Sequence, residues 1–224
     1  MHSSVEPRVL YFGTPVVLIA TSNEGGSPNL SPMSSAWWVD RSAMLGLDET
    51  SQTTLNMQRT GECVLNLPSA TMVDAVDRLA MFTGARDVPP HKAAKGYQFE
   101  PDKFGIAELT TIPSDLVHPP RVAECPVQLE AVVEGVHAFG GRDSGLVAFE
   151  VRVVRSHIDD SILVDGSDRY IDPQRWDPLI MKFCEFFGGG TNLRPSRLAA
   201  GWQMPTLTSS VTTAPLTAPH PLQS

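Results

Sequence analysis

The stretch Asn29-Leu30-Ser31-Pro32-Met33-Ser34-Ser35-Ala36-Trp37-Trp38-Val39, followed by Asp48-Glu49-Thr50-Ser51-Gln52-Thr53-Thr54-Leu55-Asn56, decides how this chain folds. In the first segment, small hydroxylated residues and a proline interrupt a strand-like pattern. In the second segment, a cluster of hydroxyl groups opens a helix, where a side-chain oxygen can cap the free N–H groups of the first turn. The two segments together predict a strand that is followed closely by a helix N-terminus.

The sequence on either side of these segments predicts antiparallel strands. Residues 16–21 form a β-branched run typical of a buried strand, and a glycine-containing turn predicts that residues 29–39 return beside it. Residues 127–136 and 146–154 predict a second hairpin around another glycine-rich turn. Because hairpins dominate and alternating βαβ units are absent, the sequence predicts a mainly β fold, an antiparallel barrel with attached helices.

Three helices are predicted between the strands. The first covers residues 53–60 and ends at Gly61, because glycine adopts the left-handed conformation of a C-cap without steric strain. The second covers residues 71–82, whose apolar side chains recur near helical spacing. The third begins at Asp177-Pro178 and ends at a glycine triplet, which we interpret as a C-cap because a phosphate loop would end in Lys-Ser or Lys-Thr. Residues 83–103 form a long excursion that is functional, oligomeric or mobile.

The length of 224 residues predicts one main domain. Residues 1–8 are polar and predict a flexible N-terminal arm, and residues 9–203 are assigned to the domain. Residues 204–224 contain Pro, Thr, Ser and Ala without a single acidic or basic residue, apart from one histidine. Such a segment buries too little apolar surface to offset the entropy of ordering, so it is predicted to be a disordered tail.

The composition argues against several classes of function. The formal charge of −8 and the scattered basic residues argue against nucleic-acid binding, and no apolar run reaches the roughly 20 residues of a membrane span. Three distant cysteines without a C-x-x-C motif or a secretory leader predict a cytoplasmic protein, in which Cys63 is a buried hydrophobic residue. The six histidines show no metal-binding spacing, and the absence of a G-x-S-x-G motif argues against hydrolysis, so no metal site is predicted.

The hydroxyl clusters have two interpretations. Ser, Thr, Asn and Pro favour turns and caps wherever they occur, and this alone would account for them. The alternative is a binding site, because a strand rich in serine can present hydrogen bonds to a flat heterocycle. A helix N-terminus beside it has free N–H groups and the positive end of the helix dipole, which favour a phosphate. On this second interpretation, the two segments form a flavin site.

The chain resembles the flavin reductase-like family, whose fold is the FMN-binding split barrel, in a series of motifs that occur in the same order. The similarity covers most of residues 10–165, which is more specific than any single motif. The shared motifs are Phe12-Gly13-Thr14-Pro15, residues 29–35, Ser51-x-Thr53-x-x-Asn56, residues 60–67, Gly96-Tyr97, Asp102-Lys103-Phe104, residues 121–130 and Phe149-Glu150-Val151.

The resemblance implies a homodimer with FMN near the subunit interface. It implies that the isoalloxazine ring lies against one strand, largely through backbone groups, and that the phosphate lies at the following helix. It further implies NADH or NADPH as hydride donor, FMN or FAD as flavin substrate, and a monooxygenase as a partner that uses the reduced flavin. The implied cofactor-binding residues are Ser31, Pro32, Met33, Ser34, Ser35, Ala36, Ser51, Gln52, Thr53 and Asn56.

One departure leaves the reaction open. Many reductases of the family carry Gly-Asp-His before the strand at residues 146–154, where the histidine helps to seat the nicotinamide, whereas this chain has Asp143-Ser144-Gly145. Three hypotheses follow. The protein transfers hydride from NAD(P)H to flavin, or it is an FMN enzyme that acts directly on an organic substrate, or it is a non-catalytic flavin-binding electron carrier.

Overall fold

The computed structural model describes residues 2–141, 143–194, 196–198 and 204–205. The chain divides into two units, Met1–Thr191 and Asn192–Ser224, and all helices and strands named below belong to the first unit. Residues 2–8 form no helix or strand. Apart from residues 204 and 205, the predicted disordered tail lies outside the described residues, and the predicted domain boundary at residue 203 stays a prediction.

The first unit is built mainly from strands. The strands are β1 (Phe12–Pro15), β2 (Val17–Ser22), β3 (Pro28–Met33), β4 (Ala36–Val39), β5 (Ser42–Asp48), β6 (Glu62–Leu67), β7 (Phe82–Thr83), β8 (Gln98–Phe99), β9 (Thr111–Ile112), β10 (Arg121–Val122), β11 (Val127–Phe139), β12 (Leu146–Ile158), β13 (Ile180–Lys182) and β14 (Glu185–Phe187). The α-helices are α1 (Gln52–Thr60), α2 (Val73–Leu79), α3 (Pro90–Ala93) and α4 (Lys103–Ala107), and short 3₁₀ turns cover Ala70–Met72 and Asp160–Ile162.

Seven strands form one antiparallel sheet in the order β3-β2-β6-β11-β12-β5-β4. Both predicted hairpins are confirmed, since β2 pairs with β3 and β11 pairs with β12 along thirteen-residue strands. A second sheet has the order β1-β13-β14, and β7 pairs with β8 in parallel. The predicted fold class is confirmed as a mainly β, antiparallel split barrel with attached helices.

Strand β2 is buried on both faces because each face contacts a different apolar cluster. Leu18 and Ala20 belong to one cluster, which also contains the apolar residues of α2 and α4. Val17 and Ile19 belong to the other cluster, with Phe149 at its centre. The unbroken β-branched run at residues 16–21 therefore reflects a central strand between two layers. Cys63 belongs to the second cluster, and burial, followed by the charge of Glu62, raises the pKa of its thiol to about 12, so it is a buried hydrophobic residue as predicted.

Helix α1 begins and ends where the sequence predicts. Ser51 is the N-cap, and its Oγ accepts a hydrogen bond from the backbone N–H of Thr54 at 3.1 Å. Gly61 is the C-cap in a left-handed conformation with φ of 71°, which a residue with a Cβ adopts at a cost. The N-terminus of α1 is thus fixed directly after β5, at the end of the large sheet.

The prediction of a helix at residues 177–187 is wrong. These residues form the β13–β14 hairpin, in which Phe183 and Cys184 both take positive φ values, 48° and 67°, to make the turn. Strand β13 pairs with β1 from the other end of the chain, a long-range contact that local spacing does not encode. The glycine triplet is therefore not a helix C-cap. Gly188 instead lies against Ala70, and the backbone N–H of Gly189 donates to Oδ1 of Asp177 at 2.7 Å.

The predicted helix at residues 71–82 is shorter than expected, since it starts as a 3₁₀ turn and ends at Leu79. Residues 83–103, which were predicted as a long excursion, contain the end of β7, the short helix α3 and β8, and end where α4 begins. The parallel pairing of β7 with β8 closes this excursion into a compact loop. We call residues 83–103 the α3 segment.

A buried carboxylate ties the segment before β10 to the large sheet. Glu130 on β11 is fully buried and accepts hydrogen bonds from the backbone N–H groups of Asp115 and Leu116, at 2.9 and 2.6 Å. His157 Nε2 lies 2.6 Å from the same carboxylate. Burial alone would raise the pKa of Glu130, but these hydrogen bonds outweigh it and lower the pKa below its ordinary value. Asp115, Glu130 and His157 also place ligand atoms within 4.8 Å of one another, a grouping that the sequence did not predict.

We expect Glu130→Gln to lower the free energy of unfolding by about 1–3 kcal/mol, because the new amide group faces a backbone N–H that has no other acceptor. Urea denaturation followed by tryptophan fluorescence measures the change. Glu134→Gln is the matched control, since Glu134 is on the same strand but is largely exposed and pairs only with Arg152. Equal effects of the two substitutions would contradict the structural role of Glu130.

Candidate active site

A cavity of about 580 Å³ lies at the end of the large sheet. This volume falls within the range of roughly 300–1,000 Å³ that small-molecule sites occupy. Its walls come from the end of β3 and the link to β4, from the end of β5, from the N-terminus of α1, from the α3 segment, and from Phe139 and Leu146 at the tips of β11 and β12. Residues on either side of β1, residues of α2 and residues of the β13–β14 hairpin line it as well, so widely separated parts of the chain meet around one cavity.

The serine-rich stretch forms one wall of the cavity. Ser31, Pro32, Met33, Ser34 and Ser35 all line it. The backbone at this point is anchored across the sheet, because the N–H of Gly46 donates to the carbonyl of Ser35 at 2.8 Å. Of the six residues predicted here, Ala36 does not line the cavity, since it is buried in the apolar cluster around Phe149.

The N-terminus of α1 forms a second wall. Ser51, Gln52 and Thr53 line the cavity, and Ser51 satisfies the N–H of Thr54. The backbone N–H groups of Gln52 and Thr53 have no intrahelical acceptor, and within the described residues no other acceptor is present. Two free donors at the positive end of a helix dipole are suited to an anion.

Asn56, the last of the predicted residues, lies beneath this wall instead of lining it. Its side chain is almost fully buried, and its Nδ2 donates to Oγ1 of Thr21 at 3.0 Å and to Oδ1 of Asn23 at 2.9 Å. Its Oδ1 accepts a hydrogen bond from Nε2 of Gln52 at 2.9 Å. Asn56 therefore positions Gln52, which does line the cavity.

Lys103, at the start of α4, is a cation that the sequence prediction did not include. It lines the cavity with only 3% of its surface exposed, and no described carboxylate lies within 4.0 Å of its ammonium group. Burial and then the charge of Lys92 lower the pKa of Lys103 to about 8, and the opposing effect of Glu100 is weaker. A buried cation without a partner is costly, so Lys103 is suited to contact an anion in the cavity.

Asp48, at the end of β5, joins the α3 segment to the main sheet. His91 Nε2 lies 2.7 Å and Lys92 Nζ lies 3.7 Å from Oδ2 of Asp48, and all three residues line the cavity. The other oxygen accepts from the N–H and the hydroxyl of Thr50, at 2.8 and 2.6 Å. Burial would raise the pKa of Asp48, but the hydrogen bonds from Thr50 and His91 and the charge of Lys92 together lower it.

Gly84 brings the α3 segment against α1. A Cβ atom at this position would lie 2.3 Å from Oδ1 of Asn29 and 3.2 Å from the side chain of Gln52. Asn29 is buried, and its Nδ2 donates to Oγ1 of Thr21 and of Thr53, both at 3.1 Å, while its Oδ1 has no partner among the described residues. Only glycine allows the two walls to approach this closely.

We expect Gly84→Ala to weaken FMN binding about tenfold and to lower the free energy of unfolding by about 1–3 kcal/mol, because the added methyl group displaces Asn29 or Gln52. Fluorescence titration with FMN and urea denaturation measure the two effects. Gly25→Ala is the control, since a Cβ there meets no atom within 4 Å. A Gly84→Ala protein that binds FMN normally would show that this approach does not shape the site.

Residues of the α3 segment and of the chain start were missed as site residues. Tyr11, Thr83, Gly84, His91, Lys92, Lys95 and Tyr97 line the cavity, together with Asp48 and Lys103. The pairs Gly96-Tyr97 and Asp102-Lys103 belonged to the motifs that carried the family resemblance, and they were the only available signal. Tyr11 also lies near the serine wall, with its hydroxyl 3.4 Å from Oγ of Ser35.

The fold and the cavity define a split-barrel protein with one candidate ligand site among the described residues. Comparison with known proteins narrows this class. A family model described as a flavin reductase like domain matches residues 9–172, and the chain therefore belongs to the flavin reductase-like family. Within the described residues, no helix is both long and apolar enough to span a lipid bilayer.

Three similar proteins illustrate the match. Uncharacterized protein YdfE of Bacillus subtilis is 34% identical over 186 residues, which cover 83% of this chain and 88% of that protein. Flavoredoxin of Desulfovibrio vulgaris has a TM-score of 0.73 at 22% identity, with 89% of this chain and all of that chain covered. Nitrilotriacetate monooxygenase component B from Bacillus cereus has a TM-score of 0.68 at 19% identity, with 87% and 99% covered.

Proposed function

We propose that this protein is an FMN-dependent oxidoreductase that transfers hydride from NADH or NADPH to flavin. The observation that carries the proposal is the pairing of two free N–H groups at the start of α1 with the buried, unpartnered Lys103 in one cavity. Both kinds of group favour an anion such as a phosphate monoester. Membership of the flavin reductase-like family supports the proposal that this anion is part of a flavin.

In this proposal, different residues of the cavity bind the phosphate and the ring of the flavin. Gln52, Thr53 and Lys103 bind the phosphate, and Ser51 keeps the helix N-terminus open to it. Residues 31–35 offer backbone and hydroxyl groups to the isoalloxazine ring. Ala36 and Asn56 belong to the proposed site as supporting residues that do not contact the ligand. Ala36 packs in the apolar cluster next to the serine stretch, and Asn56 accepts a hydrogen bond from Gln52.

When bound, flavin supplies the capacity to accept two electrons as hydride, and the protein supplies binding, orientation and charge. Lys103 and the start of α1 fix one end of the ligand, so the ring is held at the serine wall. The α3 segment and the tips of β11 and β12, with Phe139 and Leu146, also line the cavity.

The test begins with the purified protein and its visible absorbance. We expect it to bind FMN, and we expect anaerobic NADH or NADPH to bleach the flavin absorbance. Steady oxidation of the dinucleotide on addition of excess FMN or FAD would show that flavin is also a substrate. A protein that takes up no FMN, or whose bound FMN no dinucleotide reduces, would contradict the proposal.

A second candidate is an FMN enzyme that acts directly on an organic substrate. Two observations favour it: Asp143-Ser144-Gly145 stands in place of the family's histidine-containing triplet, and the α3 segment contributes many side chains to the cavity. Tightly retained FMN that a small organic reductant reduces, while both dinucleotides fail, would support this candidate. The third hypothesis, a flavin-binding electron carrier, requires that every hydride donor fails while the flavin still titrates electrochemically.

We further propose that the protein is a homodimer with the flavin near the subunit interface. Phe139 and Leu146 line the cavity, yet they are 57% and 44% exposed in the single chain. Apolar residues exposed at a site favour cover by another surface. We expect a dimer by sedimentation, and Phe139→Glu is expected to shift it toward monomer, whereas Val5→Glu, in the N-terminal arm, leaves it unchanged. A monomeric wild-type protein would contradict this proposal.

The remaining expectations also stand as proposals. Nitrilotriacetate monooxygenase component B is similar in fold, which supports the proposal that reduced flavin from this protein serves a monooxygenase partner. The three cysteines form no disulfide, which is in keeping with a cytoplasmic location.

A further inference from the structure

His91 brings a titratable group to the exposed side of the cavity. Among the described residues, it is the only histidine that lines this cavity, and its side chain is about half exposed. Asp48 holds its Nε2 at 2.7 Å, and Thr50 holds Asp48 in turn. Because a carboxylate only accepts hydrogen bonds, Nε2 carries the proton in this contact, and Nδ1 has no partner among the described residues.

The pair of Asp48 and His91 lies in an exposed part of the cavity. Asp48 is the cross-strand neighbour of Leu146, which lines the cavity and is 44% exposed. Lys103 occupies a buried part of the same cavity, whereas His91 is exposed. The cavity thus combines a buried cation suited to a phosphate with an exposed imidazole whose orientation a carboxylate fixes, an arrangement typical of proton transfer.

We propose that His91 is the catalytic acid of this site and that Asp48 is its positioning residue. This inference rests on the proposed function. Two electrons and one proton leave the dinucleotide as hydride, which converts NAD(P)H to NAD(P)⁺. The His91 imidazolium would supply from Nδ1 the second proton that neutral, fully reduced flavin requires, and His91 would then regain a proton from solvent at its exposed side. Asp48 fixes the tautomer and keeps the imidazole facing the cavity.

His91 shares the cavity with other charged and titratable groups, which are present in both redox states. A comparison of oxidised and reduced protein therefore tests the effect of flavin reduction against the same set of neighbours. These groups are Asp48, Lys92, Lys95, Lys103, Tyr11 and Tyr97.

The decisive measurement is an NMR titration of the histidine ring protons in the FMN complex, before and after chemical reduction with dithionite. If His91 faces the ring, it shares the second proton with the anionic reduced flavin. The pair holds this proton to a higher pH, so the His91 signals titrate about one pH unit or more higher than with oxidised FMN. His137 is the internal control, because it lies 3.3 Å from Glu150 in a similar pair outside the cavity. His91→Gln assigns the signal.

The outcomes separate this inference from the proposed function. Bound FMN with an unchanged His91 midpoint on reduction would overturn the role of His91 and leave the proposed function intact. A shifted midpoint in a protein that neither dinucleotide reduces would support His91 as the acid while contradicting NAD(P)H as donor. Failure to bind FMN would overturn both.

Kinetics provide a second readout. We expect His91→Gln to slow reduction of bound FMN by dinucleotide about 100-fold below pH 7, to abolish the pH dependence of that rate, and to be partly rescued by added imidazole. His137→Gln should leave all three unchanged. Asp48→Asn should reduce the rate less than His91→Gln does. A His91→Gln protein that keeps the wild-type rate and pH profile would overturn the proposal.

Discussion

Replacement of Lys103 by methionine is expected to weaken FMN binding about 100-fold or more and to leave riboflavin binding unchanged. Truncation of one partner of a buried, hydrogen-bonded charge pair costs roughly 2–5 kcal/mol, and about 2.7 kcal/mol corresponds to a factor of 100. Riboflavin lacks the phosphate and so never forms this pair. Isothermal titration with both ligands measures the difference. Equal losses for FMN and riboflavin would mean that Lys103 acts through packing.

The same substitution should stabilise the ligand-free protein. The pKa of Lys103 is lowered to about 8, against an ordinary value near 10.4 for lysine. Each pKa unit corresponds to about 1.4 kcal/mol, so the buried charge opposes folding by roughly 3 kcal/mol near pH 7. Lys95→Met is the matched control, because Lys95 lines the cavity but is exposed. It should change FMN affinity less than fivefold and leave stability nearly unchanged.

The large sheet was predictable because its pattern is local. Hairpin turns, the β-branched run of β2 and the long strands β11 and β12 each carry their own signal within a few residues. The same holds for α1, where Ser51 and Gly61 mark the two ends. The β13–β14 hairpin was mistaken for a helix because its partner, β1, lies at the other end of the chain, and its turn uses positive φ at Phe183 and Cys184 instead of at glycine.

The sequence predicts those walls of the candidate site that are each formed by one continuous segment. The serine stretch and the start of α1 are neighbours in sequence, so their patterns indicate the site directly. Lys103 and His91 belong to a segment whose position depends on the approach of Gly84 to Asn29 and on the contacts of Asp48. Neither contact leaves a pattern in the sequence. For Asn56, the sequence predicts a ligand contact that the structure does not show. Its Oδ1 instead accepts a hydrogen bond from Nε2 of Gln52, which lines the cavity.

A rise in pH should move stability and FMN affinity in opposite directions, because both depend on one proton at Lys103. Between about pH 8 and 10, the unfolded chain retains the lysine proton that the folded, ligand-free protein has lost. Raising the pH in this window therefore favours the folded state, and the free energy of unfolding should increase relative to Lys103→Met. A phosphate monoester is already a dianion above pH 7, so over this range only the protein side of the contact titrates.

FMN binding requires the protonated lysine, so the dissociation constant should rise with pH and approach a tenfold increase per pH unit above about pH 8. Titrations between pH 7 and 9 in a buffer of constant ionic strength measure this slope. The Lys103→Met protein should bind FMN weakly, with a dissociation constant that does not depend on pH. The Lys95→Met protein should keep the pH dependence of the wild-type dissociation constant. A wild-type affinity that stays constant over this range would exclude Lys103 as the phosphate ligand, because loss of its proton would have to weaken that contact.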